Sequence, residues 1–127
     1  MAKFVDSDVI VFAFSDNPKK EKCRELISNE DIMINTLILV ESFSKVATIT
    51  GDQELAVSMV RSFLKSGNIE IVDFSNNLFF EAVKRIGKYE LKISDLVHYT
   101  TASLKGCSSI VSYDKDFDGL EIKRIEP

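Results

Sequence analysis

The chain has 127 residues, 45% hydrophobic and 28% charged, with a formal net charge of −4; this is the size and balance of one globular domain spanning 1–127 around a single core. The acidity excludes a protein that coats nucleic acid by broad phosphate neutralisation, but not a nuclease, because carboxylates that hold cations are themselves acidic and the bound ions invert the local field. The apolar runs Val9 to Phe14 and Ile32 to Val40 fall far short of the roughly 20 residues that cross a bilayer, and no signal-peptide pattern opens the chain, so no membrane association and a cytoplasmic location are expected.

The first element is a strand at Lys3 to Val5, with Asp6 at its carboxyl end and Asp6-Ser7-Asp8 turning the chain into a short helical turn before the apolar residues Ile10 to Phe14. A helix from Pro18 to Asn29 carries Cys23, Leu26 and Ile27 as its apolar stripe. Asp31 to Ile34 reads as a buried strand. Asn35 or Thr36 then caps a helix to about Ile49, with Leu37, Val40, Phe43 or Ser44 and Ala47 inward and Glu41 inside an otherwise apolar stretch. After Gly51-Asp52, the residues Leu55, Ala56, Met59, Val60, Phe63 and Leu64 form a wide helical stripe that Gly67 closes.

Ile69 to Phe74 is the next strand, and Ser75 or Asn76 caps a helix to about Lys88 with Phe79, Phe80, Val83 and Ile86 inward. Ser94-Asp95 opens a helix ending near Gly106. Ser109 to Ser112 is a strand, Asp114 to Gly119 an acidic turn, and Glu121 to Ile125 a closing strand. Strands alternating with helices predict an α/β fold with a mainly parallel sheet and helices on both faces. Cys23 and Cys107 lack paired metal-ligand spacing and read as reduced, buried thiols. The single histidine, His98, excludes His-rich zinc sites and is a poor centre for a Ser-His-Asp triad.

In a parallel sheet, sites form beyond the carboxyl ends of the strands. Asp6, Asp114 and Asp95 all project to that edge, and Glu41 reaches it one turn into its helix. Individually, Asp6 serves as well as a cap, Asp95 as a first-turn acid and Asp114 as a turn residue. Glu41 is harder to explain, because a carboxylate among Leu37, Ile38, Leu39, Val40 and Phe43 is buried only if something pairs with it. Together the four repel one another unless cations neutralise them, and oxygen-only ligands suit Mg²⁺ or Mn²⁺.

The segments Phe4-Val5-Asp6-Ser7-Asp8-Val9, Leu39-Val40-Glu41-Ser42-Phe43, Ser94-Asp95-Leu96 through Thr100-Thr101-Ala102, and Val111-Ser112-Tyr113-Asp114-Lys115-Asp116-Phe117 resemble, in order, the four acidic motifs of the PIN domain family. The match is strongest to short members that act as VapC-type toxins of toxin–antitoxin pairs. The resemblance implies a three-layer α/β/α sandwich and a Mg²⁺- or Mn²⁺-dependent ribonuclease that hydrolyses RNA with a metal-activated water. It assigns Asp6, Glu41, Asp95 and Asp114 as catalytic metal ligands, Asp116 as a further acid, and Ser112 as a hydroxyl that positions water or phosphate. Lys45 and Lys115 are candidates for guiding RNA.

Two departures from the family pattern are Asp8, where Asn or Ser is usual, and Leu96, which replaces a small residue and is expected to tighten the groove. The apolar surplus of helices 52 to 65 and 76 to 88 (Met59, Val60, Phe63, Leu64, Leu78, Phe79, Phe80) fits either core or interface; the resemblance favours a homodimer that also receives a helix from a small antitoxin. Three other readings stay open: an RNA-processing PIN nuclease without an antitoxin, a haloacid-dehalogenase-type phosphatase built on Asp6 and Asp8, and a non-enzymatic interaction module.

Overall fold

A computed structural model describes residues 1–127. Its strands are β1 (Lys3–Val5), β2 (Ile32–Asn35), β3 (Ile69–Val72), β4 (Ser109–Val111) and β5 (Lys123–Ile125); its helices are α1 (Ser7–Ala13), α2 (Lys20–Asn29), α3 (Thr36–Thr50), α4 (Gln53–Lys65), α5 (Asn76–Val83) and α6 (Ile93–Leu104), with a 3-10 turn at Lys115–Phe117. The five strands form one sheet in the order β3-β2-β1-β4-β5, and every pairing is parallel.

That order fixes the layers. The right-handed crossover rule for parallel strands puts α1 to α4, which lie along the path from β1 through β2 to β3, on one face. The chain then returns across the sheet to β4, so α5 and α6 cover the other face. The packing agrees: α1 rests on α2 and α3, α3 on α4, and α5 on α6. The result is a three-layer α/β/α sandwich. Phe4, Val5, Ile34, Ile110 and Val111 of the central strands are fully buried, as expected of strands covered on both sides. Chain direction through the sheet reverses at β1 and β4, and that reversal opens a crevice at their carboxyl ends.

Helix starts follow side-chain caps: Asp6, Asn35, Asp52 and Ser75 each accept an amide of the first turn, satisfying donors that the helix itself leaves free. Of the paired alternatives, Asn35 and Ser75 are the caps. Gly51, at φ 67°, ends α3 in the left-handed conformation that a side chain would strain. The apolar residues after Asp6 are not a brief turn but the body of α1, with Val9, Ile10, Val11 and Ala13 buried.

Four expectations are corrected. In α3 the fully buried residues are Ile38, Ser42 and Val46; Leu37, Phe43 and Ala47 pack inward as expected, but Val40 is 57% exposed. In α5 the buried residues are Leu78 and Ala82; Phe79, Phe80, Val83 and Ile86 all face outward. That helix also stops at Val83 rather than Lys88: a turn through Gly87, at φ 90°, and an Ile86–Tyr89 bridge redirect the chain towards α6. Leu96 does not border the crevice, because it packs with Leu78, Ala82 and Val97 between α5 and α6. Cys23 and Cys107 are free and buried.

Candidate active site

Asp6 is placed by the shortness of β1, which ends just before it. Its Oδ1 accepts from the Ser7 amide at 2.8 Å, and its Oδ2 accepts the Ser112 hydroxyl at 2.7 Å. Ser112, fully buried just beyond β4, accepts the Asp114 amide on the same hydroxyl oxygen at 3.0 Å. Asp114 Oδ1 in turn accepts the Asp116 amide at 2.9 Å. A chain of hydrogen bonds therefore runs from the end of β1 through Ser112 to the acidic turn. With its hydroxyl committed on both sides, Ser112 orients the acids rather than facing the open crevice.

Glu41 lies in the second turn of α3 and reaches across to α6, where His98 Nε2 is 2.9 Å from its Oε1. This is the partner that a half-buried carboxylate requires. Burial alone pushes Glu41 upward, but the His98 hydrogen bond and the charges of Lys45 and Lys92 outweigh it and hold the group below the usual glutamate range.

Asp95, in the first turn of α6, is 6% exposed, and its buried Oδ2 has no hydrogen-bond partner. The Lys92 ammonium lies 4.0 Å away, and because that lysine side chain is 72% exposed the pair is worth little. Burial pushes Asp95 up to about 6; Lys92 opposes the shift, while the charges of Asp6 and Asp114 add to it. Asp8 behaves similarly. Its Oδ2 accepts the Tyr113 amide at 3.0 Å, its buried Oδ1 is unpartnered, and burial with the Asp6 charge pushes it up to about 6.

The site residues fall into two adjoining groups. Asp6, Glu41 and His98 each present an atom within 4.8 Å of the others, and Asp95, Asp114 and Asp116 do the same. Ser112 links the groups on one side, and α6, which carries both Asp95 and His98, links them on the other. The donors suit a hard divalent cation: apart from the His98 ring they are carboxylate oxygens, those of Asp6 and Asp95 buried, and the unpartnered Oδ2 of Asp95 is the orphan acceptor that a cation would satisfy. Lys45 and Lys92 stand at the rim. Lys115 is exposed on the 3-10 turn, with its charge felt at Glu126 beyond β5.

No local pattern in the sequence points to His98 as the partner of Glu41 or to Lys92 at the rim. His98 is 1% exposed, and its partners Glu41 and Asn35 lie on other elements, so no local pattern marks it.

A family model described as the PIN domain matches residues 3–123 of the chain. Among solved structures, the VapC20 toxin of Mycobacterium tuberculosis, described as cleaving the sarcin-ricin loop, superposes with a TM-score of 0.83 at 16% identity, covering 99% of this chain and 100% of that one. A toxin–antitoxin complex from Klebsiella pneumoniae gives 0.71 at 21% identity, covering 95% and 93%. VapBC2 from Rickettsia felis, bound to a DNA fragment from its promoter, also gives 0.71 at 21% identity, covering 99% and 98%. At such identities these likenesses establish the fold. No curated protein sequence matches the chain.

Proposed function

The chain belongs to the PIN domain family, and from that premise we propose that it is a Mg²⁺- or Mn²⁺-dependent endoribonuclease, the toxin of a VapBC-type toxin–antitoxin pair acting in the cytoplasm. One observation carries this reading. Asp6 and Glu41 lie in one compact group of potential metal ligands and Asp95 and Asp114 in a second, with a buried Asp95 oxygen left without a partner, which supports a cation site there. The family leaves the phosphatase alternative without support. The Asp8 carboxylate, which that reading needs as acid–base, is instead engaged with the Tyr113 amide.

Asp6, Glu41, Asp95 and Asp114 would hold the metal, with Asp116 at the edge of the second group. When bound, such a cation supplies a water of lowered pKa and offsets charge on the scissile phosphate. The residues of the chain have distinct tasks. Ser7 and Ser112 fix the Asp6 carboxylate, the Asp116 amide fixes Asp114, and His98 fixes Glu41. Lys45 and Lys92 offset the acidic rim, so that an RNA backbone can approach a domain of net charge −4.

The neighbours that are toxin–antitoxin complexes support a toxin over an RNA-maturation enzyme or a non-enzymatic module, and the sarcin-ricin loop cleaving neighbour supports an RNA target. A homodimer and a small antitoxin fit the apolar surface at Phe74, Phe79 and Phe80. The test is cleavage of RNA with Mn²⁺ or Mg²⁺ against EDTA. Metal-dependent cleavage by the wild type, abolished in Asp6→Asn and Asp95→Asn variants that remain folded, is the expected result; full activity in both variants would overturn the site.

A further inference from the structure

We propose that His98 is the positioning residue of Glu41 rather than a metal ligand, and that the amide of Asn35 locks its imidazole in the tautomer that carries the proton on Nε2. The inference rests on the nuclease reading for its consequence, but its structural core stands on hydrogen bonds alone.

Proximity leaves the role of His98 open. A ring nitrogen of His98 lies with Asp6 and Glu41 in a group compact enough to ligate a metal, Nε2 being the one beside Glu41, and imidazole is a common ligand for transition metals. Ligation needs a lone pair on Nε2, and therefore a proton on Nδ1. The surroundings of Nδ1 decide whether that is available.

Asn35 caps α3, and its Oδ1 accepts the Ile38 amide at 2.8 Å. A backbone amide only donates, so this contact identifies the Asn35 oxygen and turns the NH₂ group the other way. There Nδ2 lies 3.0 Å from Thr101 Oγ1 and 3.1 Å from His98 Nδ1. The Thr101 hydroxyl proton is already given to the Val97 carbonyl at 2.8 Å, so Thr101 is an acceptor towards Asn35. One amide hydrogen goes to Thr101 and the other to His98 Nδ1, which must accept.

The ring proton then sits on Nε2 and points at Glu41 Oε1, 2.9 Å away. Reversing the Asn35 amide would put two donors face to face at Ile38 and leave Thr101 Oγ1 without its donor. Such losses cost on the order of 1–3 kcal/mol each in a buried site. Asn35, His98 and Thr101 are each no more than 1% exposed, so water does not offset them. The Phe4 ring, 5.8 Å from the imidazole between centroids, packs against it. A helix cap thus dictates, through one histidine, how a site carboxylate is held, in the manner of the hydrogen-bonding partners that orient ligands around metals.

Two measurements test this. Long-range ¹H–¹⁵N spectra of the metal-free protein and of the protein with Mg²⁺ should both show His98 protonated on Nε2; protonation on Nδ1 in either state overturns the proposal. Mn²⁺ affinity of variants supplies the second readout. His98→Leu, which removes the donor, is expected to weaken Mn²⁺ binding about 10- to 100-fold. His98→Gln, whose amide nitrogen reaches as far as imidazole Nε2 and can donate but not ligate, is expected to restore affinity close to wild type. Equal losses in the two variants would show His98 to be a ligand and overturn the inference. If His98→Leu does not fold, the spectra still decide. Absence of metal binding by the wild type would sink the nuclease reading, while the tautomer measured without metal tests the Asn35 lock separately.

Discussion

Asp6 and Ser112 stand at the ends of neighbouring strands and share a hydrogen bond of 2.7 Å in which the hydroxyl donates to the carboxylate. The register of β1 on β4, with Val5 opposite Val111, sets the two residues side by side. Removing the hydroxyl in Ser112→Ala leaves Asp6 Oδ2 unsupported and the Asp114 amide without its acceptor. A stability loss on the order of 1–3 kcal/mol is expected, with a fall of about 10- to 100-fold in metal affinity or turnover. Thermal unfolding together with Mn²⁺ titration measures both. Unchanged metal affinity would remove the orienting role.

Asp95 sets a pH dependence of stability. Its folded value of about 6 lies above the ordinary 3.8, so the folded state binds this proton more tightly than the unfolded chain does. The associated stability is fully present below about pH 4 and is lost as pH rises through 6. The shift corresponds to at most on the order of 3 kcal/mol. Other groups titrate over the same range, so the informative quantity is a difference. In EDTA, Asp95→Asn should match the wild type near pH 4 and melt progressively higher than it towards pH 7.5. A melting-temperature difference independent of pH would contradict the burial of this carboxyl.

Divalent metal should reverse that penalty. Ions that bind only the folded protein raise stability by about 2.7 kcal/mol at 100 times the dissociation constant, and they favour ionised Asp95 and Asp8. The melting temperature at pH 7.5 should therefore rise with Mn²⁺ or Mg²⁺, and rise little at pH 4.5, where protons compete. Scanning calorimetry at the two pH values tests this. An equal rise in Asp95→Asn at pH 7.5 would mean that the ions bind elsewhere.

The placing of the acids at one edge of the sheet was legible in the sequence, and the gaps have a physical pattern. Asp6 and Asp114 follow short apolar strands, and Glu41 is conspicuous as a charge in an apolar helix, so each could be located from local context. The inward face of α5, and the exact buried line of α3, could not. Both helices carry apolar residues around most of their circumference, and the buried residues are Ile38, Ser42 and Val46 in one and the modest Leu78 and Ala82 in the other. Size does not decide which face turns inward; the sheet does. A lone histidine such as His98 has no local signature. Its meaning comes from Glu41, 57 positions away, and Asn35, 63 away, a juxtaposition that only the crossover to α6 creates.

Lys45 and Lys92 should affect substrate binding more than turnover. Both influence Glu41, and neither is buried. For single-stranded nucleic acid, each phosphate contact contributes about 0.7 to the slope of log affinity against log salt. Lys45→Ala and Lys92→Ala are each expected to raise KM at low salt, reduce that slope by about this amount, and leave kcat nearly unchanged. Lys115→Ala should do less, since Lys115 lies out by Glu126. Steady-state cleavage at several salt concentrations separates these outcomes, and a fall in kcat with constant KM would place either rim lysine in the chemistry instead.

The outward face of α5 is the last feature with a measurable consequence. Phe74, Phe79 and Phe80 are 39%, 40% and 61% exposed, and their rings form a connected run, with centroids 6.3 Å and 6.4 Å apart. Ile86, 63% exposed, adds to the apolar surface beyond the helix. Connected aromatic surface of this kind on a small domain marks an interaction face. None of these side chains is needed for the core, which in α5 is supplied by Leu78 and Ala82. Phe80→Lys should therefore leave the melting temperature of the isolated protein within a few degrees while lowering its tendency to self-associate. Light scattering at micromolar concentration reads the result: a dimer in the wild type that becomes a monomer in Phe80→Lys supports this face as the interface. A wild-type monomer, or a dimer indifferent to the substitution, would remove α5 from it.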